Sequence, residues 1–239
     1  MKNFRVLSIF LILSNHLLNG QSFKFELQTG IGFYSMSYLN DINDKVTHDI
    51  PFDTRLVSDF PAYWYLRPVF SLQFKKFSIG FNYSLQSTGS RVSAKDYSGE
   101  YRFDMNVSSS SPGIHGEVLL GNLKKIRLNL YSDLGISYSK LRLTEYFMVL
   151  DQKLTDKSYR YKAQNYFFEP GFNISYPVLF FNIGLYSGYL IGFGKQAYYT
   201  NNNKEDKLRI PESRESIKPD WNGLRFGISV YYNIGRKTN

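Results

Sequence analysis

The feature of this sequence that most constrains its fold is a two-residue alternation of apolar and polar side chains, which recurs about eight times. Residues 221–234 show it most clearly, because their even positions carry Leu224, Phe226, Ile228, Val230, Tyr232 and Ile234, while their odd positions are mostly small or polar. Successive side chains of a strand point to opposite faces, so each such segment predicts a β-strand with one apolar face. Similar segments occupy residues 23–36, 60–74, 77–88, 101–120, 126–142, 159–176 and 179–193.

In the segments at 77–88, 126–142, 179–193 and 221–234 the apolar face is free of charge through about five alternations, and the opposite face is rich in Gly, Ser and Asn. A soluble barrel of the lipocalin kind, or a β-sandwich, would keep its apolar residues inside and place charges on its outer face. A charge-free apolar face of about 9–11 tilted residues suits a lipid core, and a small polar face suits the crowded interior of a narrow barrel. The pattern therefore predicts an all-β fold, an eight-stranded antiparallel up-and-down transmembrane β-barrel.

Composition agrees with this fold and excludes several kinds of chemistry. The mean hydropathy of −0.33 is low for a membrane protein, but the polar interior and loops of a barrel dilute its lipid-facing half. The 239 residues include no cysteine, so no disulfide or thiolate metal ligand is expected. The formal net charge of +9 is scattered rather than gathered in a basic stripe. Lipid phosphates are therefore favoured over nucleic acid as its counterpart.

The first 22 residues have the order of elements found in a secretory signal peptide. Lys2 and Arg5 precede an apolar run at 6–13, and small residues follow before the first predicted strand. Cleavage is expected after Ser22, with Gly20 as the alternative. The mature chain, residues 23–239, is then expected to be a single barrel domain.

The connections between predicted strands alternate in length, which is the layout of bacterial outer-membrane barrels. Short turns fall at 75–76, 121–125 and 177–178, and longer polar loops at 37–59, 91–99, 144–157 and 194–220. Two irregularities are also expected. The apolar positions of the fourth segment change parity within residues 108–113, which predicts a β-bulge, and Pro170 cannot donate to a strand ladder.

The last segment also carries a more specific pattern: polar, x, Gly, x, x, hydrophobic, x, aromatic, supplied by Arg225, Gly227, Val230 and Tyr232. With the strand pattern, this resembles the OmpA/OmpX-like and "porin family" barrels common in Bacteroidetes, in which such residues form an assembly signal. The resemblance implies export to a Gram-negative outer membrane, insertion by the barrel assembly machinery, contact with lipid and lipopolysaccharide, and a monomeric state.

The inward face of the predicted strands carries charged residues at positions that would lie inside the barrel. They are Glu26, Arg67, Arg127, Asp133, Glu169 and Arg225, with Lys24, Gln73, His115 and Glu117 near the edges. Such residues could line a pore, but buried charges must pair to offset their desolvation. A charge-paired plug is the preferred interpretation, with Glu169–Arg225 and Asp133–Arg127 as candidate pairs.

No catalytic, cofactor-binding or metal-binding residues are predicted. The two histidines after the N-terminal segment, His48 and His115, do not stand in a spacing that gives a nucleophile its base. The expected function is that of a non-enzymatic outer-membrane barrel with four longer extracellular loops that serves envelope integrity or surface contact. A narrow channel for ions or small solutes is the alternative, and a lipid-modifying enzyme is less favoured.

Overall fold

A computed structural model describes residues 22–49, 55–97, 99–150, 152–194, 196–200, 205–209 and 215–235. The predicted signal peptide, including the alternative cleavage position after Gly20, lies outside these residues apart from Ser22. At Ser22 the first strand begins.

Antiparallel strands, each hydrogen-bonded to its neighbours, form a closed ring. The ring runs from β1 (Ser22–Tyr34) through β3 (Tyr63–Gln73), β4 (Phe77–Lys95), β5 (Gly99–Leu123), β6 (Ile126–Val149), β7 (Gln152–Val178), β8 (Phe181–Phe193) and β10 (Gly223–Ile234), and β10 pairs with β1. Two short strands, β2 (Arg55–Ser58) and β9 (Tyr199–Thr200), pair with β4 and β7 outside the ring, and one helix, α1 (Ser37–Asp49), follows β1. The ring is closed between the first and last long strands, from Phe23 opposite Ile234 to Tyr34 opposite Gly223.

A charge-free apolar band surrounds the outside of the ring. Large apolar side chains project from every ring strand into the surroundings, and Phe81 and Trp64 reach 72 % and 68 % exposure. Six exposed aromatic residues belong to this band: Trp64, Tyr83, Tyr138, Tyr176, Phe193 and Tyr232. The alternation of exposed and buried residues along β1, β8 and β10 follows the sequence pattern.

On one side of the barrel the strands continue well beyond this band. β5, β6 and β7 have 25, 24 and 27 residues, whereas β1, β8 and β10 have 13, 13 and 12. The sequence-based prediction of loops at 91–99 and 144–157 was therefore wrong, since most of these residues continue the pairing of β4–β5 and β6–β7. We call this projecting sheet the strand extension. The predicted loop at 37–59 also proved to contain α1 and β2.

The predicted β-bulge at residues 108–113 is absent. β4 pairs with β5 in one continuous register from Phe77–Val118 to Lys95–Glu100. Odd-numbered residues of β5 face inward from Tyr101 to Leu119, so Met105 and Val107 are buried in the extension just as His115 is buried in the barrel. The register of β5 with β6 shifts only between Leu119 and Gly121, near the short turn. The apparent change of parity marks the point at which the inner side of the sheet becomes apolar and its outer side polar.

At Pro170, where an irregularity was expected, the pairing of β7 with β8 is interrupted. It breaks off at Phe168–Ile191 and resumes at Gly171–Gly188 without a change of register. Pro170 still lies opposite Ser132 on its other side. Because proline has no amide hydrogen, the gap falls where the ladder lacks a donor.

The long connections fold into an apolar cap over the barrel mouth from which the extension rises. The cap core is formed by the end of β1, α1, the inner face of the extension, and residues near 198 and 217–221. Its buried members are Tyr34, Met36, Leu39, Phe60, Met105, Val107, Leu141, Leu143, Ala163, Phe167, Leu190, Tyr198, Ile217 and Trp221. Asp220 fixes the start of α1, because its carboxylate accepts hydrogen bonds from the hydroxyls of Ser35 and Ser37.

Candidate functional site: the closed barrel interior

An ionic cluster fills the middle of the barrel. Arg67 donates from Nη1 to Asp133 Oδ2 at 2.5 Å and to Glu169 Oε1 at 2.8 Å, and Arg225 donates to Glu169 Oε2 at 2.6 Å. Asp133 and Glu169 are 0 % exposed, and the two arginines are 1 % exposed. The candidate pair Glu169–Arg225 is thus in contact, whereas Asp133 pairs with Arg67 rather than with Arg127.

A second set of charges continues this cluster toward the short-turn mouth. His115 Nδ1 lies 2.7 Å from Asp133 Oδ1, and its Nε2 lies 3.7 Å from Glu117 Oε2. Lys24 binds Glu117, and the Nζ of Lys24 also lies 2.7 Å from Glu26 Oε2. The charges therefore form one connected chain from Lys24 to Arg225. Lys24, His115 and Glu117, which the sequence placed only at the edge of the interior, are full members of it.

Tyrosine rings occupy the remaining space around the arginines. Tyr65, Tyr131 and Tyr186 form a buried aromatic cluster, and the Tyr131 hydroxyl donates to Glu169 Oε1 at 3.1 Å. Arg225 Cζ lies 4.7 Å from the centre of the Tyr65 ring. Aromatic faces attract cations, so the rings both fill the interior and stabilise the charges that they surround.

Arg127 is the predicted interior residue that the structure leaves out of the cluster. It is the second residue of β6 and lines an open cavity of about 210 Å³ at the short-turn mouth, together with Lys24, Lys75, Lys76 and Glu117. Asp133 lies six residues further along the same strand, about 20 Å away at 3.3 Å per residue, which prevents the predicted pairing.

The cap closes the opposite end of the barrel. The Trp221 indole donates to the Ser139 hydroxyl at 2.8 Å, and its ring meets Tyr34 edge-on with centroids 4.9 Å apart. Tyr198 is fully buried here, and burial raises the pKa of its hydroxyl above the usual value for tyrosine. Between this apolar layer and the ionic cluster lies a small cavity of about 20 Å³, lined by Trp221 on one side and Arg225 on the other.

The two histidines considered for catalysis lie in different environments. His115 is inside the barrel between two carboxylates, whereas His48 is exposed in the last turn of α1. Across the described ranges, no group of three or more His, Asp or Glu side chains is arranged to hold a metal ion.

The residues of the assembly signal divide between the two faces of β10. Arg225 and Gly227 face inward, where Arg225 joins the ionic cluster and Gly227 lies against Tyr186. Val230 and Tyr232 face outward in the apolar band. β10 continues beyond Tyr232 to Ile234, which lies opposite Phe23.

Comparison with known proteins gave similarity in structure only. No protein-family model matches the chain, and no curated protein matches it. Two crystal structures of Ail, the attachment invasion locus protein of Yersinia pestis, are similar to it over 90 % of its length. The first has 12 % sequence identity and a TM-score of 0.37, and 97 % of its own chain is covered. The second, in complex with the heparin analogue sucrose octasulfate, has 11 % sequence identity and a TM-score of 0.40, and 100 % of its own chain is covered.

Within the described residues, none of the helical structure is of a length and hydropathy that would cross a membrane.

Proposed function

We propose that this protein is an integral outer-membrane β-barrel with eight membrane-crossing strands and a closed interior. It is exported through its N-terminal signal peptide and carries a folded structure, the cap and the strand extension, on the outer surface of the cell. Its role is in envelope integrity or surface contact, and it is not an enzyme.

The observation that carries this proposal is the inversion of the usual arrangement of a protein core. The fully buried interior contains Arg67, Asp133, Glu169 and Arg225, while the outside of the ring is covered by exposed apolar side chains without a charge. A monomeric protein in water rarely exposes so large a contiguous apolar surface. In a bilayer the same surface is solvated by hydrocarbon, and the closed ring leaves no unpaired strand edge in the lipid.

A closed interior favours a role at the surface over conduction. Glu169 uses both of its carboxylate oxygens to hold two arginines, one from β3, which lies across the ring from β7, and one from β10, two strands away from β7. The cap adds an apolar layer across the other end. An ion that crossed would have to displace buried ion pairs, whose separation costs several kcal/mol.

The placement of the residues considered for chemistry also supports a non-enzymatic role. His115 is engaged by Asp133 inside the barrel and is shielded from lipid by the strand itself. A lipid-modifying site would need a nucleophile and its base near the rim. Replacing His48 or His115 by Ala is expected to leave the lipid composition of the envelope unchanged, as measured by mass spectrometry of extracted lipid.

Two measurements test the proposal. The folded protein is expected to migrate differently on SDS gels before and after boiling, and to require detergent to remain monodisperse. In planar lipid bilayers the wild-type protein is expected to insert without discrete current steps. A protein that stays folded and monodisperse in plain buffer would contradict the membrane location, and reproducible single-channel openings would favour the narrow channel instead.

A further inference from the structure

Four basic side chains lie together on the outer face of the strand extension, directly beyond the apolar band. They are Lys140 and Arg142 on β6 and Arg160 and Lys162 on β7, and we call them the cationic cluster. Lys140 lies opposite Lys162 and Arg142 opposite Arg160. All four side chains are exposed. Together with Asn106 and Ser108 they line a groove of about 520 Å³.

This arrangement is unfavourable in the absence of a ligand. Side chains directly opposite each other in an antiparallel pair are about 5 Å apart, and like charges at such positions destabilise the sheet. The two pairs are also adjacent, because the outward positions of a strand repeat about every 7 Å. None of the four cations has an ion pair within the described part of the chain.

The acidic residues nearby on the same face are already engaged. Asp104, in the next outward row, is bound by Arg91 at 2.6 Å and by Arg102 at 3.4 Å. Asp156, further along β7, is bound by Lys153. The residues that flank the cationic cluster on β5, Asn106 and Ser108, are neutral hydrogen-bonding groups. The cluster therefore has excess positive charge that an external anion would balance.

The position of the cluster identifies the kind of anion. Tyr138 is exposed in the apolar band two residues before Lys140, and Tyr166 is exposed four residues after Lys162. Aromatic residues of this kind mark the membrane interface of barrels. The cations thus lie at the height of the lipid headgroups, on the side of the barrel that carries the long connections.

We propose that the cationic cluster binds the phosphate groups of an acylated, phosphorylated glycolipid in the outer leaflet. This inference rests on the proposed membrane location and adds a specific site to it. Two rows of paired cations match a headgroup with more than one phosphate, Asn106 and Ser108 are placed to bond sugar hydroxyls, and the acyl chains lie along the apolar band below. Arginine binds phosphate through paired donors, and lysine acts as a point charge.

The test compares binding of diphosphorylated and dephosphorylated lipid A to the folded protein in zwitterionic detergent micelles by calorimetric titration. Each basic residue near the membrane surface adds to the attraction for an anionic headgroup. The wild type is therefore expected to bind the diphosphorylated form at least about tenfold more tightly. The K140Q/R142Q/R160Q/K162Q variant is expected to lose that difference. A matched control, K75Q/K76Q/K124Q/K125Q, removes the same charge from the turns at the other end of the barrel and is expected to retain it.

Several outcomes would overturn the proposal. The cluster variant could bind like the wild type, or the control variant could lose as much affinity. Equal binding of phosphatidylglycerol would contradict a glycolipid, and equal binding of soluble inorganic pyrophosphate would indicate a site for a free polyanion. If the fourfold variant fails to fold, K140Q/K162Q and R142Q/R160Q are each expected to lose part of the difference.

Failure of the membrane location itself is distinguished by heat-dependent gel migration of the same samples. A wild type that migrates as a folded barrel but does not discriminate between the two forms of lipid A contradicts only the lipid site. Without lipid, the cluster variant is expected to resist unfolding by urea at least as well as the wild type, because its repulsion is gone. A plain loss of structure would lower that resistance.

Discussion

Glu169 is the residue on which the closed interior depends most. Its two oxygens bind arginines that come from β3 and β10, and a tyrosine hydroxyl from β6 adds a third contact. Because none of these groups is accessible to water, each would be left with an unbalanced charge or an unpaired donor if Glu169 were lost. Buried pairs of this kind add little net stability when intact, but breaking one is costly.

Glu169→Gln is therefore expected to lower the free energy of unfolding by about 3–5 kcal/mol. The measurement is urea unfolding in detergent micelles, followed by tryptophan fluorescence. Glu100→Gln provides the control, because Glu100 pairs with the exposed Lys95 at 3.5 Å and its loss should cost less than about 1 kcal/mol. Equal effects of the two substitutions would show that the central ion pairs do not hold the barrel together.

At the scale of single strands, the closure between β1 and β10 requires a glycine at position 227. A Cβ atom there would lie 2.3 Å from the carbonyl oxygen of Thr29 and 2.6 Å from the hydroxyl of Tyr186. Neither can move freely, since the carbonyl belongs to the neighbouring strand and Tyr186 is packed among buried aromatic rings. The glycine of the predicted assembly signal thus also has a packing role in the finished barrel.

We expect Gly227→Ala to destabilise the barrel by about 1–3 kcal/mol, the usual cost of overpacking, and to reduce the fraction that folds. Refolding from urea into micelles, followed by unboiled SDS gels, measures that fraction. Gly121→Ala is the matched control, because a Cβ at Gly121 meets no atom within 4 Å. A refolded fraction for Gly227→Ala equal to that of Gly121→Ala would contradict the close approach seen at the seam.

The strands were predictable where a single environment persists along them. The alternation located every strand of the ring, since an apolar outer face and a polar interior give opposite faces opposite composition. It failed in the extension, where Met105 and Val107 face the cap core instead of the outside, because periodicity reports which residues share a face but not what that face meets. The pairing of Asp133 with Arg67 depends on strand positions across the ring, which alternation alone does not reveal.

We expect that the cap can be opened without opening the barrel. Leu39 on α1 is 1 % exposed in the cap core, so Leu39→Asp would bury an unpaired charge and displace the helix. Limited trypsin digestion is expected to cut after Lys207 or Arg209 sooner than in the wild type, while the barrel keeps its heat-dependent migration. Leu154→Asp, at a position 59 % exposed on the extension, should leave the digestion unchanged. Loss of the barrel itself in Leu39→Asp would show that cap and barrel fold as one unit.

For the whole molecule, the decisive question is which solvent the apolar band meets. One leucine on β6 and one at the end of β5 can answer it. Leu134 is 52 % exposed near the middle of the band, and Leu123, at the end of β5 beside the short turn, is 78 % exposed. On a protein surface in water, either residue could become Arg with an effect within about 0.5 kcal/mol. In a bilayer the cost of the arginine depends on its depth, about 2–4 kcal/mol at the midplane and about 0–1 kcal/mol near the interface.

We therefore expect Leu134→Arg to reduce the free energy of folding into phosphatidylcholine vesicles by about 2–4 kcal/mol, and Leu123→Arg to have little effect. Nearly equal, small effects would mean that water surrounds the band, and the membrane location would then be wrong.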